Sequence, residues 1–199
     1  KGTDVETMIR NARRVKGKVD AFLVPEMGNA VMRMSSLGGA LVLQSQGLEC
    51  VIQVCCRDRN RLAIQGDLLA AGAMGISGVM AVTGEDPSFG DHHQARAVND
   101  IDLIELLGVV EELRKGRDMA GIELAGAPEF LLGTTTGFGA RGKSPELEVE
   151  ETRKREAAGA RFFVTPPLFD LESIRPFMFR MDGSAAVVLP TVLLLKSLG

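Results

Sequence analysis

The chain has little of what marks membrane proteins, nucleic-acid-binding proteins or disulfide-stabilised proteins. Its 199 residues include no tryptophan, no tyrosine, two histidines and three cysteines. No apolar run approaches the ~20 residues that a transmembrane helix needs, and Pro190 interrupts the longest candidate, residues 185–195. The net charge is −3 and no basic stripe is present. We therefore expect no membrane span and no nucleic-acid partner.

The few cysteines and histidines also limit the chemistry. Cys50, Cys55 and Cys56 are odd in number and crowd into one apolar segment, where adjacent cysteines would form only a strained bridge. This usage predicts a reducing compartment, the cytoplasm, with the thiols acting as small apolar side chains and a redox role as the alternative. His92 and His93 are adjacent, a poor spacing for chelation, so we predict no metal.

Strand and helix signals alternate at roughly the 30-residue period of βαβ units. The strand segments are continuous apolar runs, as in a parallel sheet covered by helices. On this pattern alone, a doubly wound sheet and a (β/α)8 barrel both remain open. The predicted strands are residues 21–24, 50–56, 78–82, 130–134, 162–165 and 185–189.

Polar residues mark the predicted helix starts. Thr3 with Glu6 has the spacing of a capping box, and Ser144 precedes a proline at the start of an acidic segment. Asp58 and Asp100 precede apolar periodic segments, so we expect each to cap a helix. Residues 29–46 have a helical tendency, which two glycines weaken.

The most informative segment runs from residue 53 to residue 102. It combines two apolar strands with a long loop rich in Gly, Asp and His. In α/β proteins, ligands bind at loops that follow the carboxyl ends of strands. The polar loop residues, which a role in the core does not explain, therefore lie where ligand binding is expected.

Several motifs within and beyond this segment occur in a fixed order. They are CRDRNR (Cys56–Arg61), AVTGEDPSFGD (Ala81–Asp91), AVNDIDLIELL (Ala97–Leu107), Glu148–Arg155 and AGARFFVTPPLFD (Ala158–Asp170). In this combination the chain resembles the 5,10-methylenetetrahydrofolate reductases, flavin-dependent enzymes of one-carbon metabolism. The resemblance covers nearly the whole chain.

The resemblance implies a (β/α)8 TIM barrel, which favours the barrel over the doubly wound sheet. Six strands are predicted against the eight of that fold. We therefore expect residues 1–199 to be a single partial barrel domain that lacks the first strand and the last βα portion. The chain also opens on Lys1 without an initiator Met. Because an unclosed barrel leaves unpaired edges, we expect a piece of a longer protein, an oligomer or a larger complex.

The resemblance also implies a reaction. A flavin, FAD or FMN, would reduce 5,10-methylenetetrahydrofolate, or a related methylene-tetrahydropterin, to the 5-methyl form. Its electrons would come from NAD(P)H or from a partner protein. The alternative is a non-catalytic, barrel-derived subunit or fragment that acts as an assembly partner.

Acidic residues are the first candidates for this chemistry. Glu85 takes the place of the family's acidic residue between flavin and pterin, and Asp86 follows it. A carboxylate beside a flavin disfavours the anionic reduced form and so tunes its potential. The family's catalytic Glu would stand just before Lys1, and Glu26 is the only replacement that we nominate.

The remaining candidates follow from the same resemblance, each beside a structural alternative. Gln53 is alternatively a core polar group, Arg57 part of a solvated helix start, Arg155 a helix-terminal cation and Phe169 a core aromatic. Pro166 replaces a Gln that binds folate and nicotinamide in the family. The implied cofactor-binding residues are Gln53, Thr83, Gly84, Val98, Asn99, Asp100, Glu148 and Arg155, and the implied substrate-binding residues are Arg57, Pro166 and Phe169.

Overall fold

The computed structural model describes residues 2–138 and 144–194. The chain divides into two compact units, Lys1–Leu131 and Leu132–Gly199. The first unit contains α1 (Glu6–Arg13), β1 (Phe22–Val24), α2 (Ser36–Gln44), β2 (Cys50–Cys55), α3 (Arg61–Ala73), β3 (Gly78–Val82) and α4 (Leu103–Arg114). The second contains β4 (Leu131–Thr135, whose first residue closes the first unit), α5 (Pro145–Ala157), β5 (Phe162–Pro167), α6 (Arg175–Arg180) and β6 (Val187–Thr191).

In both units the strands are parallel. In the first unit β2 pairs with both β1 and β3, with Phe22 opposite Cys50 and Val51 opposite Gly78. In the second unit β5 pairs with both β4 and β6. All six predicted strands are confirmed, and their bounds agree within two residues. The prediction works because every strand is an apolar run bounded by turn residues.

Helices cover these strands with their apolar sides. All five residues of β3 are buried, and α4 turns Leu106, Leu107, Val110 and Leu113 inward at the spacing of one helix face. In the second unit, Phe177 of α6 lies buried beside Phe138, with ring centroids 5.2 Å apart. Within the described residues no helix is both long and apolar enough to cross a membrane.

The predicted helix starts are partly wrong. Asn60, rather than Asp58, caps α3, and Asp102, rather than Asp100, forms the capping box of α4 with Glu105. In each case the true cap stands two residues later, directly at the first helical turn. The cap at Ser144 is confirmed, with its hydroxyl accepting from the Leu147 amide.

Two other local predictions also fail. Thr3 and Glu6 form no capping box, because α1 begins after Val5 and Glu6 donates its amide to Asp4. The helix expected over residues 29–46 is confined to Ser36–Gln44. The residues before it form an irregular loop in which Met27, Asn29 and Ala30 have positive φ.

Candidate functional site

The polar residues of the first unit gather where its three strands end. Because β1, β2 and β3 are parallel, their carboxyl ends lie at one edge, and the segments that follow them are neighbours. These segments are residues 25–35 after β1, 56–60 after β2 and 83–102 after β3. We call this edge with its three segments the unit-1 mouth.

A ring of hydrogen bonds links Glu26, Gln53 and Ser36 at the mouth. The Glu26 amide donates to Gln53 Oε1 over 2.8 Å, and the Gln53 amide donates to Ser36 Oγ over 2.8 Å. The Ser36 amide in turn donates to Glu26 Oε2 over 3.1 Å. Gln53 is therefore fixed through its oxygen, which leaves its Nε2 amide group as a donor for a ligand.

Glu26 is the buried acid of the mouth, with 4% of its surface exposed. Its Oε2 also lies 3.4 Å from a guanidinium nitrogen of Arg59, which is held by Asp67 at 2.9 Å. Its Oε1 is buried and has no hydrogen-bond partner within the described residues. Burial raises the pKa of Glu26 against the opposing charge of Arg59.

Arg57 ties the three segments of the mouth together. Its guanidinium forms two 2.7 Å hydrogen bonds with Asp58 and donates to the carbonyls of Glu85 (3.1 Å) and Met27 (3.5 Å). The side chain is only 4% exposed. The hydrogen bond to Asp58 raises the pKa of Arg57, so it stays a cation.

The neighbouring arginines are also paired within the unit. Arg61 binds Asp100 at 2.9 Å, as Arg59 binds Asp67. An anion at the mouth would therefore have to compete with a carboxylate for each of these arginines.

Gly84 brings the segment after β3 close to the end of β2. It has a φ of 89°, and a Cβ at this position would collide with Cys55 Sγ and approach Arg57 Cβ. Cys55 Sγ donates to the Thr83 carbonyl over 3.3 Å. Only glycine combines this left-handed backbone with such a close approach. The exposed side chains of Thr83 and Glu85 therefore stand directly at the mouth.

Glu85 and Asp86 occupy different environments. The Glu85 carboxylate, 56% exposed, lies 3.7 Å from the Arg57 guanidinium. Asp86 is exposed and accepts from the Ser88 amide over 2.8 Å, capping the short helical turn Pro87–Phe89. Hydrogen bonding from Ser88 lowers the pKa of Asp86, so it stays a carboxylate. Both residues lie at the carboxyl end of β3.

The end of the long segment also returns to the mouth. The Val98 amide donates to the Arg57 carbonyl over 2.7 Å. Asn99 has a φ of 42°, and Asp100 accepts from the backbone and guanidinium of Arg61. The hydrogen bonds from Arg61 lower the pKa of Asp100.

Backbone strain is concentrated in these same segments. Within the described residues, the non-glycine residues with positive φ are Met27, Asn29, Ala30 and Asn99. The segment after β3 packs against this strained stretch so closely that a Cβ on Gly90 would collide with the Ala30 carbonyl. Conformations of this kind cost about 1–3 kcal/mol each and cluster at ligand-binding sites.

The second unit has its own polar cluster around Glu148, which is 2% exposed. Its Oε1 accepts from Thr136 Oγ1 (2.9 Å), the Gly137 amide (2.5 Å) and Thr152 Oγ1 (3.3 Å). Arg155 donates to the Thr135 carbonyl over 2.8 Å and lies 3.9 Å from Glu148. The structure thus brings these two predicted cofactor-binding residues together at the end of β4.

The predicted substrate-binding residues of this unit lie at the end of β5. Pro166 sits at a register shift in the β5–β6 pairing, where Thr165 Oγ1 accepts from the Thr191 amide over 2.9 Å. A proline is tolerated there because a bulge removes the need for its N–H. Phe169 is 82% exposed, so it is not a core aromatic.

Sequence reasoning missed Ser36, Arg59 and Asp67 as parts of one network with Glu26. Their sequence separations span 10 to 41 residues, and no local pattern connects them. The only signal available in the sequence was the position of Glu26 and Arg59, because each follows the end of a predicted strand. Within the described residues, no group of three or more His, Cys, Asp or Glu has the geometry of a metal site.

With this geometry established, comparison with known proteins settles the family. The sequence matches the family described as "Methylenetetrahydrofolate reductase" over residues 3–199. The chain belongs to the methylenetetrahydrofolate reductase family. No curated protein matches the sequence.

Solved structures support the fold of this family member. The chain is similar to an oxaloacetate acetylhydrolase, with a TM-score of 0.60 and 10% identity over 91% of this chain and 62% of that one. It is also similar to a putative lyase/mutase from Burkholderia cenocepacia J2315, with a TM-score of 0.50 and 15% identity over 97% and 77%. These similarities support a parallel, TIM-barrel-like α/β fold. The chain spans less than two thirds of the length of the acetylhydrolase.

Proposed function

We propose that the chain carries out the flavin-dependent reduction of 5,10-methylenetetrahydrofolate, or of a related methylene-tetrahydropterin, to the 5-methyl form. The observation that carries this proposal is the unit-1 mouth. It combines a buried acid with an unsatisfied oxygen, a fixed carboxamide donor and two exposed carboxylates at the ends of parallel strands. Family membership supplies the chemistry to which we assign these groups.

The groups present suit the ring system of a flavin. An isoalloxazine presents carbonyl and ring-nitrogen acceptors and one N–H donor. Gln53 Nε2 is a donor, and Glu26 Oε1 is buried without a hydrogen-bond partner among the described residues. When bound, a reduced flavin supplies the hydride that the methylene carbon receives.

Each predicted residue has a proposed task in this reaction. Glu85 and Asp86 place negative charge beside the ring, and the low pKa of Asp86 keeps its charge at neutral pH. Arg57 holds Glu85 in place through its backbone and carboxylate. Within the first unit, the proposed backbone and side-chain contacts to the cofactor come from Gln53, Thr83, Gly84, Val98, Asn99 and Asp100. Glu148 and Arg155, in the second unit, stay predicted cofactor-binding residues of that unit.

The proposed pterin contacts are fewer. Exposed Phe169 offers a face on which a pterin ring can stack. Pro166 offers no side-chain hydrogen bond, so we assign it only an apolar contact. Arg57 is assigned to the substrate side of Glu85; because it is paired with Asp58 and only 4% exposed, it acts there by holding Glu85 in place. The electron donor is proposed to be NAD(P)H or a partner protein.

A spectral titration tests the function. The purified chain is mixed separately with FAD and FMN, and binding is read from the perturbed flavin spectrum and quenched fluorescence. Anaerobic addition of 5-methyltetrahydrofolate is then expected to bleach the bound flavin, because the reaction runs in reverse. NADH and NADPH are compared as reductants in the same cuvette.

Two controls define the outcome. Glu85→Gln is expected to change the potential of the bound flavin, whereas Glu49→Gln, an exposed change at the other end of β2, is expected to have no effect. Flavin binding without bleaching by 5-methyltetrahydrofolate would reject the reaction. No binding of either flavin would favour the non-catalytic assembly subunit instead.

A further inference from the structure

A second polar surface of the first unit is strongly basic. Five cations occur within residues 10–18, and no acidic residue lies among them. All five are exposed in the structure. They are Arg10 and Arg13 of α1 and, in the segment that follows it, Arg14, Lys16 and Lys18. We call these five residues the basic patch.

The basic patch and the unit-1 mouth lie at opposite edges of the strands. The segment after α1 leads into β1, as the segment after α2 leads into β2. The amino ends of these parallel strands are neighbours, since the Phe22 amide donates to the Glu49 carbonyl over 2.8 Å. Lys16 joins the two segments, because its Nζ donates to the Gln46 carbonyl over 2.9 Å. The patch is therefore separate from the proposed flavin site.

The cations of the patch have uncharged partners or none. Arg10 donates to Thr7 Oγ1 over 3.2 Å, and Arg13 donates to Gln46 Oε1. Within residues 2–138 and 144–194, no carboxylate forms an ion pair with any of the five. Even Glu6, one helical turn before Arg10, does not neutralise it. The positive charge of the patch is therefore directed at solvent.

The carboxyl end of α4 provides a comparison, because the helix dipole favours cations at the carboxyl end of any helix. Arg114 pairs there with Glu111 at 2.5 Å, and Lys115 pairs with Glu112 at 2.8 Å. The helix dipole thus accounts for the presence of cations at the ends of both α1 and α4. Of these two helix ends, only that of α1 leaves its cations without carboxylates.

The basic patch also contains a concave site. A cavity of about 430 Å³ opens between α1 and the end of α2, and its lining residues are Glu6, Ile9, Arg10, Arg13 and Gln46. Ile9 is half-buried and contributes apolar surface. The two guanidinium groups supply planar forks of donors that match the geometry of a carboxylate. The lining suits a carboxylate that lies next to an apolar side chain.

The composition of the patch favours a protein partner over a nucleic acid. Three of its five cations are arginine, a residue type enriched at protein–protein interfaces. The apolar side chains of Val15 and Val19, 37% and 45% exposed, lie between the cations in sequence. Residues 6–20 include no aromatic side chain on which a base could stack. The net charge of −3 also opposes a polyanion that extends beyond the patch.

We propose that the basic patch docks an acidic segment of a partner protein. Carboxylates of that segment bind Arg10 and Arg13, and an apolar side chain of the segment enters the cavity beside Ile9. Charge complementarity identifies this occupant, because the patch presents uncompensated cations around an apolar floor. The inference goes beyond the proposed function and does not depend on it.

The first test measures peptide binding to the full chain by fluorescence anisotropy. The probe is a fluorescein-labelled peptide in which pairs of glutamates alternate with single leucines. The reference probe has lysine in place of glutamate. The wild-type chain is expected to bind the glutamate peptide more tightly, although its net charge of −3 favours the lysine peptide. Salt should weaken this binding, because exposed charges are screened within about 10 Å at 0.1 M ionic strength.

Two double variants locate the binding. Arg10→Gln/Arg13→Gln removes the guanidinium groups of the cavity and should weaken peptide binding about tenfold. Arg114→Gln/Lys115→Gln removes the same charge from the end of α4 and should leave the affinity within about twofold of the wild type. Thermal unfolding of both variants checks that each is folded. Equal losses in the two variants, or a wild-type chain that does not bind the glutamate peptide, would overturn the proposal.

The same assay distinguishes the other anionic partners. A single-stranded oligonucleotide and vesicles that contain phosphatidylserine are titrated at the same ionic strength. Tighter binding of either one than of the glutamate peptide would overturn the assignment to a protein. Sedimentation of the chain alone tests self-association. A dimer that R10Q/R13Q abolishes would show that a second copy of this chain occupies the patch, and would also overturn the proposal.

Cross-linking gives the position of the bound peptide independently of affinity. A carbodiimide joins peptide carboxylates to lysine amines that they contact, and mass spectrometry identifies the lysines. Lys16 and Lys18 are expected to carry the cross-links, whereas Lys115 and Lys154, which pair with glutamates of their own helices, are not. An even distribution over the four lysines would contradict the assigned position. None of these measurements involves flavin, so their failure is distinct from failure of the proposed function.

Discussion

The two units each bury one glutamate almost completely, and the two carboxylates accept different numbers of hydrogen bonds. In the second unit, one oxygen of Glu148 accepts three hydrogen bonds from residues of β4, α5 and their connection. In the first unit, Glu26 accepts one amide hydrogen bond, from Ser36, and lies 3.4 Å from the Arg59 guanidinium. The first unit also contains all the described non-glycine residues with positive φ.

This difference predicts which carboxylate the fold depends on more. A buried carboxylate that accepts several hydrogen bonds holds its neighbours in place. A buried carboxyl group that accepts fewer hydrogen bonds offsets less of the cost of its burial. We therefore expect the two units to respond differently to equivalent substitutions.

The largest expected effect is the loss of Glu148. Replacing it with Leu leaves the Thr136 hydroxyl, the Thr152 hydroxyl and the Gly137 amide without their acceptor, which should cost about 3 kcal/mol. Glu26→Leu loses the Ser36 amide contact and the 3.4 Å pair with Arg59 but removes an unfavourable burial, so about 1 kcal/mol is expected. Denaturant unfolding of both full-length variants measures the difference. Equal losses would contradict the distinction between the two glutamates.

A smaller effect is expected where the first unit needs glycine. Gly84→Ala places a Cβ against Cys55 at a φ of 89°, which should cost about 2 kcal/mol and displace Thr83 and Glu85. Gly66→Ala is the matched control, because Gly66 lies inside α3 with open space around it. The control should stabilise the chain by about 0.5–1 kcal/mol. Thermal unfolding of both variants checks the prediction, and a neutral G84A would show that the mouth is not tightly held.

The smallest effect concerns the two aspartates at the start of α4. Asp102→Ala removes the side-chain acceptor of the Glu105 amide, one half of the capping box, and should cost about 1 kcal/mol. Asp100→Ala removes an exposed pair with Arg61 and should cost less. The urea concentrations at the unfolding midpoints of the two variants show which substitution costs more stability. The reverse order would restore Asp100 as the cap that the sequence predicts.

The strands were predictable because their signals are local. Each strand is an apolar run ended by a turn residue, and all six are found within two residues of their predicted bounds. Helix caps were less predictable, because two aspartates separated by one residue, such as Asp100 and Asp102, give the same signal. Only the pairing of Asp100 with Arg61, 39 residues away, shows which one is free to cap.

The position of the site was predictable from the sequence, but the hydrogen bonds and ion pairs between its residues were not. Glu26 and Glu85 each follow a predicted strand and Gln53 lies within one, and the structure brings all three to the unit-1 mouth. Arg57, an implied substrate-binding residue, has a carboxylate partner in Asp58, and Arg59 and Arg61 are paired in the same way, which composition alone does not reveal. Burial is likewise invisible in sequence, so Glu26 and Glu85 appear equivalent until the fold separates them.

The cysteines of β2 and its end give the chain an internal reporter. Cys50, Cys55 and Cys56 are all buried, and burial raises the pKa of Cys50 to about 11 and that of Cys56 to about 12. Alkylating reagents attack only thiolates that solvent reaches, so the folded chain should resist them. The rate of labelling at these positions would then report how often β2 separates from β1 and β3. No added probe is needed.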